Sequence, residues 1–71
     1  MKFGQALDDM RAQRKVKRPG WGFYVFLEWL NGKPAKLMRA NGTPSLDQKP
    51  ADPKPYLPGH EDLLAEDWLI A

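Results

Sequence analysis

Arg18-Pro19-Gly20-Trp21-Gly22-Phe23-Tyr24-Val25-Phe26-Leu27-Glu28-Trp29-Leu30-Asn31-Gly32 is the stretch that decides the fold. It opens on a bend: Pro19 fixes φ near the turn value and Gly20 accepts φ > 0 without steric cost. The bend aims Trp21 in one direction. Residues 22–30 follow, dense in aromatic and β-branched types, and predict a central strand. Phe23, Val25, Leu27 and Trp29 share one face; Tyr24, Phe26, Glu28 and Leu30 share the other. Both faces are largely apolar, so both call for a cover, one a helix and the other a second subunit. Asn31-Gly32 is a strong hairpin signal, with residues 35–40 returning as the partner strand and Asn41-Gly42 ending it.

Upstream, Phe3, Ala6, Leu7 and Met10 fall at i, i+3, i+4 and i+7, which predicts a helix over 3–13. No strong cap precedes it, so packing must hold it. Residues 15–18 alternate polar and apolar, as a short Lys-rich edge strand does. Downstream, residues 43–55 hold four prolines and no apolar period, the mark of an extended loop. Tyr56-Leu57 reads as a short strand ended by Pro58-Gly59. Residues 60–66 read as a helical turn or two with Leu63 and Leu64 inward, and residues 67–70 as a closing strand. The expected fold is α+β: one domain over residues 1–71, a short N-terminal helix on a small antiparallel sheet.

Size argues for self-association. A chain of 71 residues buries only about 60% of its unfolded surface. Small domains gain stability from disulfides, a metal or a partner subunit. With no Cys and one His, disulfides and thiolate or structural zinc sites are out, which leaves a homo-oligomer. The net charge is +2, unevenly spread: residues 11–18 carry five cations and no acid, whereas residues 60–68 carry four acids and no Lys or Arg. Such asymmetry suits head-to-tail contact, or a basic rim for a phosphate-bearing ligand. The start of the chain is polar and amphipathic and no apolar run could span a bilayer, so a soluble cytosolic protein without a membrane partner is expected.

Catalytic groups are sparse. The lone Ser45 lies in the Pro-rich stretch with no His near it in sequence. His60, Glu61 and Asp62 point in different directions as adjacent residues, and Glu66 with Asp67 is too few ligands for an oxygen-bound cation. No glycine-rich phosphate loop is present. A binder without a cofactor is expected, not an enzyme. Aromatics at element ends, namely Phe3, Trp21 and Tyr56, are the candidates for exposure. An aromatic beside cations suits a nucleobase and its phosphates, while the frequency of buried aromatics favours the core for Trp21. Nucleic acid fits poorly, since +2 is a low charge and no recognition helix is present, leaving at most weak contact through residues 11–18.

Met1-Lys2-Phe3-Gly4-Gln5-Ala6-Leu7, then Met10, Val16 and Arg18-Pro19-Gly20-Trp21, and finally Asp62-Leu63-Leu64-Ala65-Glu66-Asp67-Trp68, resemble the second Thoeris anti-defence family of small phage and prophage proteins. The resemblance implies a non-enzymatic sponge in the bacterial cytoplasm. Such a protein holds a cyclic ADP-ribose signal uncleaved, so the downstream Thoeris effector stays inactive. It further implies a homotetramer with pockets between subunits, and some members also bind cyclic oligonucleotides. By the same resemblance, Phe3 and Trp21 are base-stacking aromatics, and Tyr56 stands where relatives often carry Trp. Asp62 would accept ribose hydroxyls, and Arg18 is the nearest cation for a pyrophosphate. The alternative is a phage-encoded structural or protein-interaction module with Trp21 in its core.

Overall fold

The computed structural model describes residues 1–42, 44 and 52–71. The chain forms helix α1 (Phe3–Arg11), strands β1 (Val16–Lys17), β2 (Phe23–Leu30), β3 (Lys33–Asn41) and β4 (Lys54–Pro55), helix α2 (His60–Leu64) and strand β5 (Leu69–Ile70). The five strands make one sheet in the order β4-β3-β2-β1-β5 with every pairing antiparallel. This is the expected α+β arrangement.

The β2–β3 hairpin is its frame. Asn31 (φ 54) and Gly32 (φ 77) both take left-handed backbone, as a two-residue primed turn requires. Pairing runs from Phe23↔Asn41 to Leu30↔Lys33, with a register shift between Glu28 and Trp29. Ala35 has no partner there, so the extra residue of this bulge belongs to β3.

Helix α1 lies on the Val25 face. Ala6 and Met10, on its predicted stripe, are fully buried with Val16, Val25, Tyr56 and Trp68, and Phe3 and Leu7 pack against them. Gln5 supports its start, with Oε1 accepting from the Lys2 backbone N–H at 3.1 Å. The helix stops at Arg11, two residues short of expectation, because Gln13 turns to φ 66.

Three expectations need correction. Strand β1 is interior: Val16 pairs with both Val25 and Ile70, so β5 forms that edge. A strand contributed some fifty residues downstream leaves no trace near residues 15–18. On the opposite face, Tyr24, Met38 and Ala40 are already buried in a single chain, so a second subunit is not needed to cover them. In α2, Leu63 and Leu64 point outward, with Leu64 81% exposed. Asp62 faces inward instead, and at 3.6 residues per turn Leu64 is carried to the far side.

The loop expected over 43–55 falls mostly on residue 43 and residues 45–51, outside the described residues. Its last residues are strand: Met38↔Pro55 and Arg39↔Lys54 pair, and Tyr56 N–H donates to the Leu37 carbonyl at 2.9 Å. The strand expected at Tyr56-Leu57 therefore lies about two residues earlier.

Candidate functional site

The turn over 18–21 closes with Trp21 N–H donating to the Arg18 carbonyl at 3.3 Å. Pro19 occupies its second position and Gly20, at φ 83, its third, the pattern of a type II turn. Trp21 is thereby laid on Phe23, with ring centroids 4.3 Å apart and planes within 19°. It also meets Tyr56 edgewise at 6.0 Å and Trp68 at 5.4 Å. Phe3 meets Trp68 edgewise at 5.5 Å. Phe3, Trp21 and Phe23 stay half-buried, whereas Tyr56 (7% exposed) and Trp68 (1%) are core.

The expected exposure of Tyr56 is thus corrected. Its ring closes the helix-side core, and its hydroxyl is tied inward, donating to Asp62 Oδ2 at 2.6 Å. The other oxygen of that carboxylate, Oδ1, accepts from Arg18 Nη1 at 3.0 Å, and Arg18 Nε donates to Asp67 Oδ1 at 3.0 Å. Trp68 Nε1 donates to the Asp62 carbonyl at 2.9 Å. Met1 and Trp68 exchange two further bonds, Trp68 N–H to the Met1 carbonyl (3.0 Å) and the Met1 nitrogen to the Trp68 carbonyl (2.8 Å). Arg18 of the basic run thus meets Asp62 and Asp67 of the acidic segment within one chain, whereas the charge asymmetry suited head-to-tail contact or a basic rim.

These contacts set the ionisation of the cluster. Burial pushes the Asp62 carboxyl up, but the hydrogen bonds from Tyr56 and Arg18 and the Arg18 charge outweigh it and hold the group below the usual carboxylate range. The Arg18 hydrogen bond does the same for Asp67. Tyr56 is raised, first by burial, then by its bond to Asp62 and the charge of that carboxylate; Arg18 and Arg39 oppose the shift.

All five residues singled out from sequence, Phe3, Arg18, Trp21, Tyr56 and Asp62, therefore lie in one contiguous cluster. Sequence reading left out Phe23 and Arg39, whose guanidinium carbon sits 4.1 Å from the Phe23 ring centroid. Two signals were available: Phe23 follows Trp21 at the two-residue spacing of one strand face, and Arg39 is a cation on the helix-facing side of β3, beside Leu37. His60 and Glu61 are exposed and make no cluster with Asp62. Among the described residues no group of His, Cys, Asp and Glu side chains is placed to hold a metal ion. No helix among them is long and apolar enough to cross a membrane. A separate hollow of about 310 Å³ lies beyond the C-terminal end of α1, lined in part by Met10, Arg14, Phe26 and Trp29; none of the five residues borders it.

Comparison with known proteins returns one family. The model of the Thoeris anti-defense 2-like domain matches residues 1–71, the whole chain, including the middle that the motif resemblance did not reach. No curated protein matches.

Proposed function

The chain belongs to the Thoeris anti-defense 2-like family, and from that premise we propose that it is a sponge that binds a cyclic ADP-ribose-type signal and holds it uncleaved. One observation carries this reading. Residues near both ends of the chain converge on a half-buried aromatic pair, Trp21 on Phe23, joined to Phe3 through Trp68, with Arg39 on Phe23 and with Asp62 and Arg18 linked through Tyr56. A nucleobase stacks on such a surface while its phosphates meet the cations. The one hydroxyl in the cluster bonded to a carboxylate, that of Tyr56, is buried and its pKa is raised by that burial, which disfavours the phenolate a nucleophile would need. In this reading the protein binds without turnover and without a cofactor, in the bacterial cytoplasm.

The sponge is a homo-oligomer, a tetramer in the family's pattern. Leu57, Leu64 and Ile70 leave 89%, 81% and 50% of their surfaces open, which supplies apolar area for subunit contact.

Calorimetry of the purified, folded protein against the cyclic ADP-ribose isomers tests the proposal. Binding is expected with at least one isomer, and the bound nucleotide should be recovered intact after heat release. No heat with any isomer, or recovery of a cleaved product, ends the sponge reading. A structural module is the second reading, favoured by the contacts of Trp21 with Phe23, Tyr56 and Trp68.

A further inference from the structure

We propose that Arg39, seconded by Lys54, is the cation pair that receives the phosphate or pyrophosphate of a ligand stacked on the Trp21–Phe23 surface. The ligand class rests on the nucleotide-binding reading above; the choice of residue rests on the following geometry. The Arg39 guanidinium carbon is 4.1 Å from the Phe23 ring centroid, and the Trp21 ring is stacked on that same ring at 4.3 Å. Two groups so close to one centroid must occupy its opposite faces. Phe23 is therefore sandwiched between indole and guanidinium.

The two arginines of the cluster differ in what they have left to give. Arg18 spends Nε and Nη1 on Asp67 and Asp62. Its charge is matched by two carboxylates, and two of its five N–H donors are engaged. Arg39 forms no salt bridge among the described residues. Stacking on an aromatic face uses the plane of a guanidinium and leaves the in-plane N–H donors free, with their charge unneutralised. That is the state in which a guanidinium grips a phosphate through two parallel hydrogen bonds.

Strand pairing supplies an independent argument. Arg39 stands directly opposite Lys54 across β3 and β4, so both side chains leave the sheet on one face. Like charges in directly opposed positions destabilise a sheet. Neither cation has a salt-bridge partner among the described residues. An anion lying between them would turn this repulsion into two attractions. The phosphate would then sit on the β3–β4 side of Phe23, with Phe23 and Trp21 between it and a base on the outer face of Trp21.

Calorimetry with cyclic ADP-ribose, ADP and adenosine, on wild type, Arg39→Gln, Arg39→Lys and Lys54→Gln, separates the possibilities. ADP probes pyrophosphate recognition without the cyclic linkage, and adenosine probes stacking without charge. Arg39→Gln is expected to weaken both phosphate ligands about tenfold or more, to spare adenosine, and to flatten the salt dependence of binding. Arg39→Lys should recover part of the loss. Lys54→Gln, exposed on an edge strand and safe for folding, should lose about threefold and also flatten the salt dependence. Wild-type affinity for the phosphate ligands in folded Arg39→Gln, an equal loss of adenosine, or an unchanged Lys54→Gln overturns the assignment and leaves the sponge reading standing. Binding of ADP but of no cyclic isomer, with the Arg39 effect intact, does the reverse. Failure of the wild type to bind any phosphate ligand removes both.

Discussion

The Tyr56 hydroxyl donates to Asp62 Oδ2 at 2.6 Å, so a buried phenol and the inward carboxylate of α2 hold each other before any ligand arrives. Arg18 fills the other carboxylate oxygen. Tyr56→Phe keeps the ring in the core but leaves Oδ2, on a side chain only 20% exposed, without its donor. The expected cost is about 1–3 kcal/mol, the range for leaving a buried acceptor unsatisfied. It should appear as a lower urea midpoint at unchanged slope.

The same bond shapes the alkaline limb of stability. Burial, then the Asp62 bond and charge, raise the Tyr56 hydroxyl in the folded protein. A raised folded value stabilises fully below the unfolded value of about 10 and is lost as pH climbs beyond it. Thermal midpoints should therefore fall above about pH 10 in the wild type, and more shallowly in Tyr56→Phe. Parallel curves for the two proteins would contradict this.

The acid limb has the opposite sign. Asp62 and Asp67 are held below the ordinary carboxylate range, in both cases with help from Arg18. Their stabilisation is present above the unfolded value of about 4 and disappears as pH falls through the folded values. Denaturant titrations between pH 2 and 6 should show this decline, weakened in Asp62→Asn. Since Arg18 joins β1 to the segment carrying both acids, the C-terminal residues should lose amide protection first.

Gly20 and Gly22 flank Trp21, and an added Cβ meets no atom within 4 Å at either. They differ in backbone: only Gly20 has positive φ, at 83°. Gly20→Ala should cost about 1–2 kcal/mol through that conformation alone, whereas Gly22→Ala should stay within about 0.5 kcal/mol. Because the turn aims Trp21, Gly20→Ala should also weaken ligand binding beyond its effect on stability.

What was legible in the sequence was local. The apolar stripe of α1, the Pro-Gly turn and the Asn-Gly hairpin each rest on residues within one or two turns of each other, and each stands where periodicity or turn chemistry put it. What was not legible depended on distant partners. The interior place of β1 needs Ile70 and Leu69; the inward turn of Asp62, which expels Leu64, needs Arg18 and Tyr56. The cluster itself was reached through motif resemblance at both ends of the chain. Its cross-strand members, Phe23 and Arg39, lie outside those motifs, and sheet register and ring geometry bring them into it.

Self-association makes a direct prediction. Leu57 and Leu64 are large, apolar and almost wholly exposed. If they lie in a subunit contact, Leu57→Asp combined with Leu64→Asp should lower the sedimentation coefficient toward that of a monomer while circular dichroism is unchanged. A wild type that sediments as a monomer at micromolar concentration would rule out the oligomer itself.

Two tryptophans in edge contact at 5.4 Å are expected to fail in different ways. Trp68 is 1% exposed, packs with Ala6, Met10 and Val16, and spends its indole N–H on the Asp62 carbonyl. Trp68→Ala removes core volume and a buried bond together, a loss of about 3–5 kcal/mol. Domains of this kind hold only about 5–15 kcal/mol in total, so the variant should be largely or wholly unfolded at 37 °C. Trp21 is half-buried, stacked on Phe23 at the rim of the same cluster. Trp21→Ala gives up less buried area and should keep a cooperative thermal transition, lowered by several degrees. Its affinity for a cyclic ADP-ribose isomer should nonetheless fall by tenfold or more, since base–aromatic stacking contributes about 1–3 kcal/mol. Near-ultraviolet circular dichroism and calorimetry on the two variants decide between the readings. Unfolding of both would make Trp21 a core residue and favour a structural module; a folded Trp21→Ala without ligand affinity would identify it as the stacking surface of a sponge.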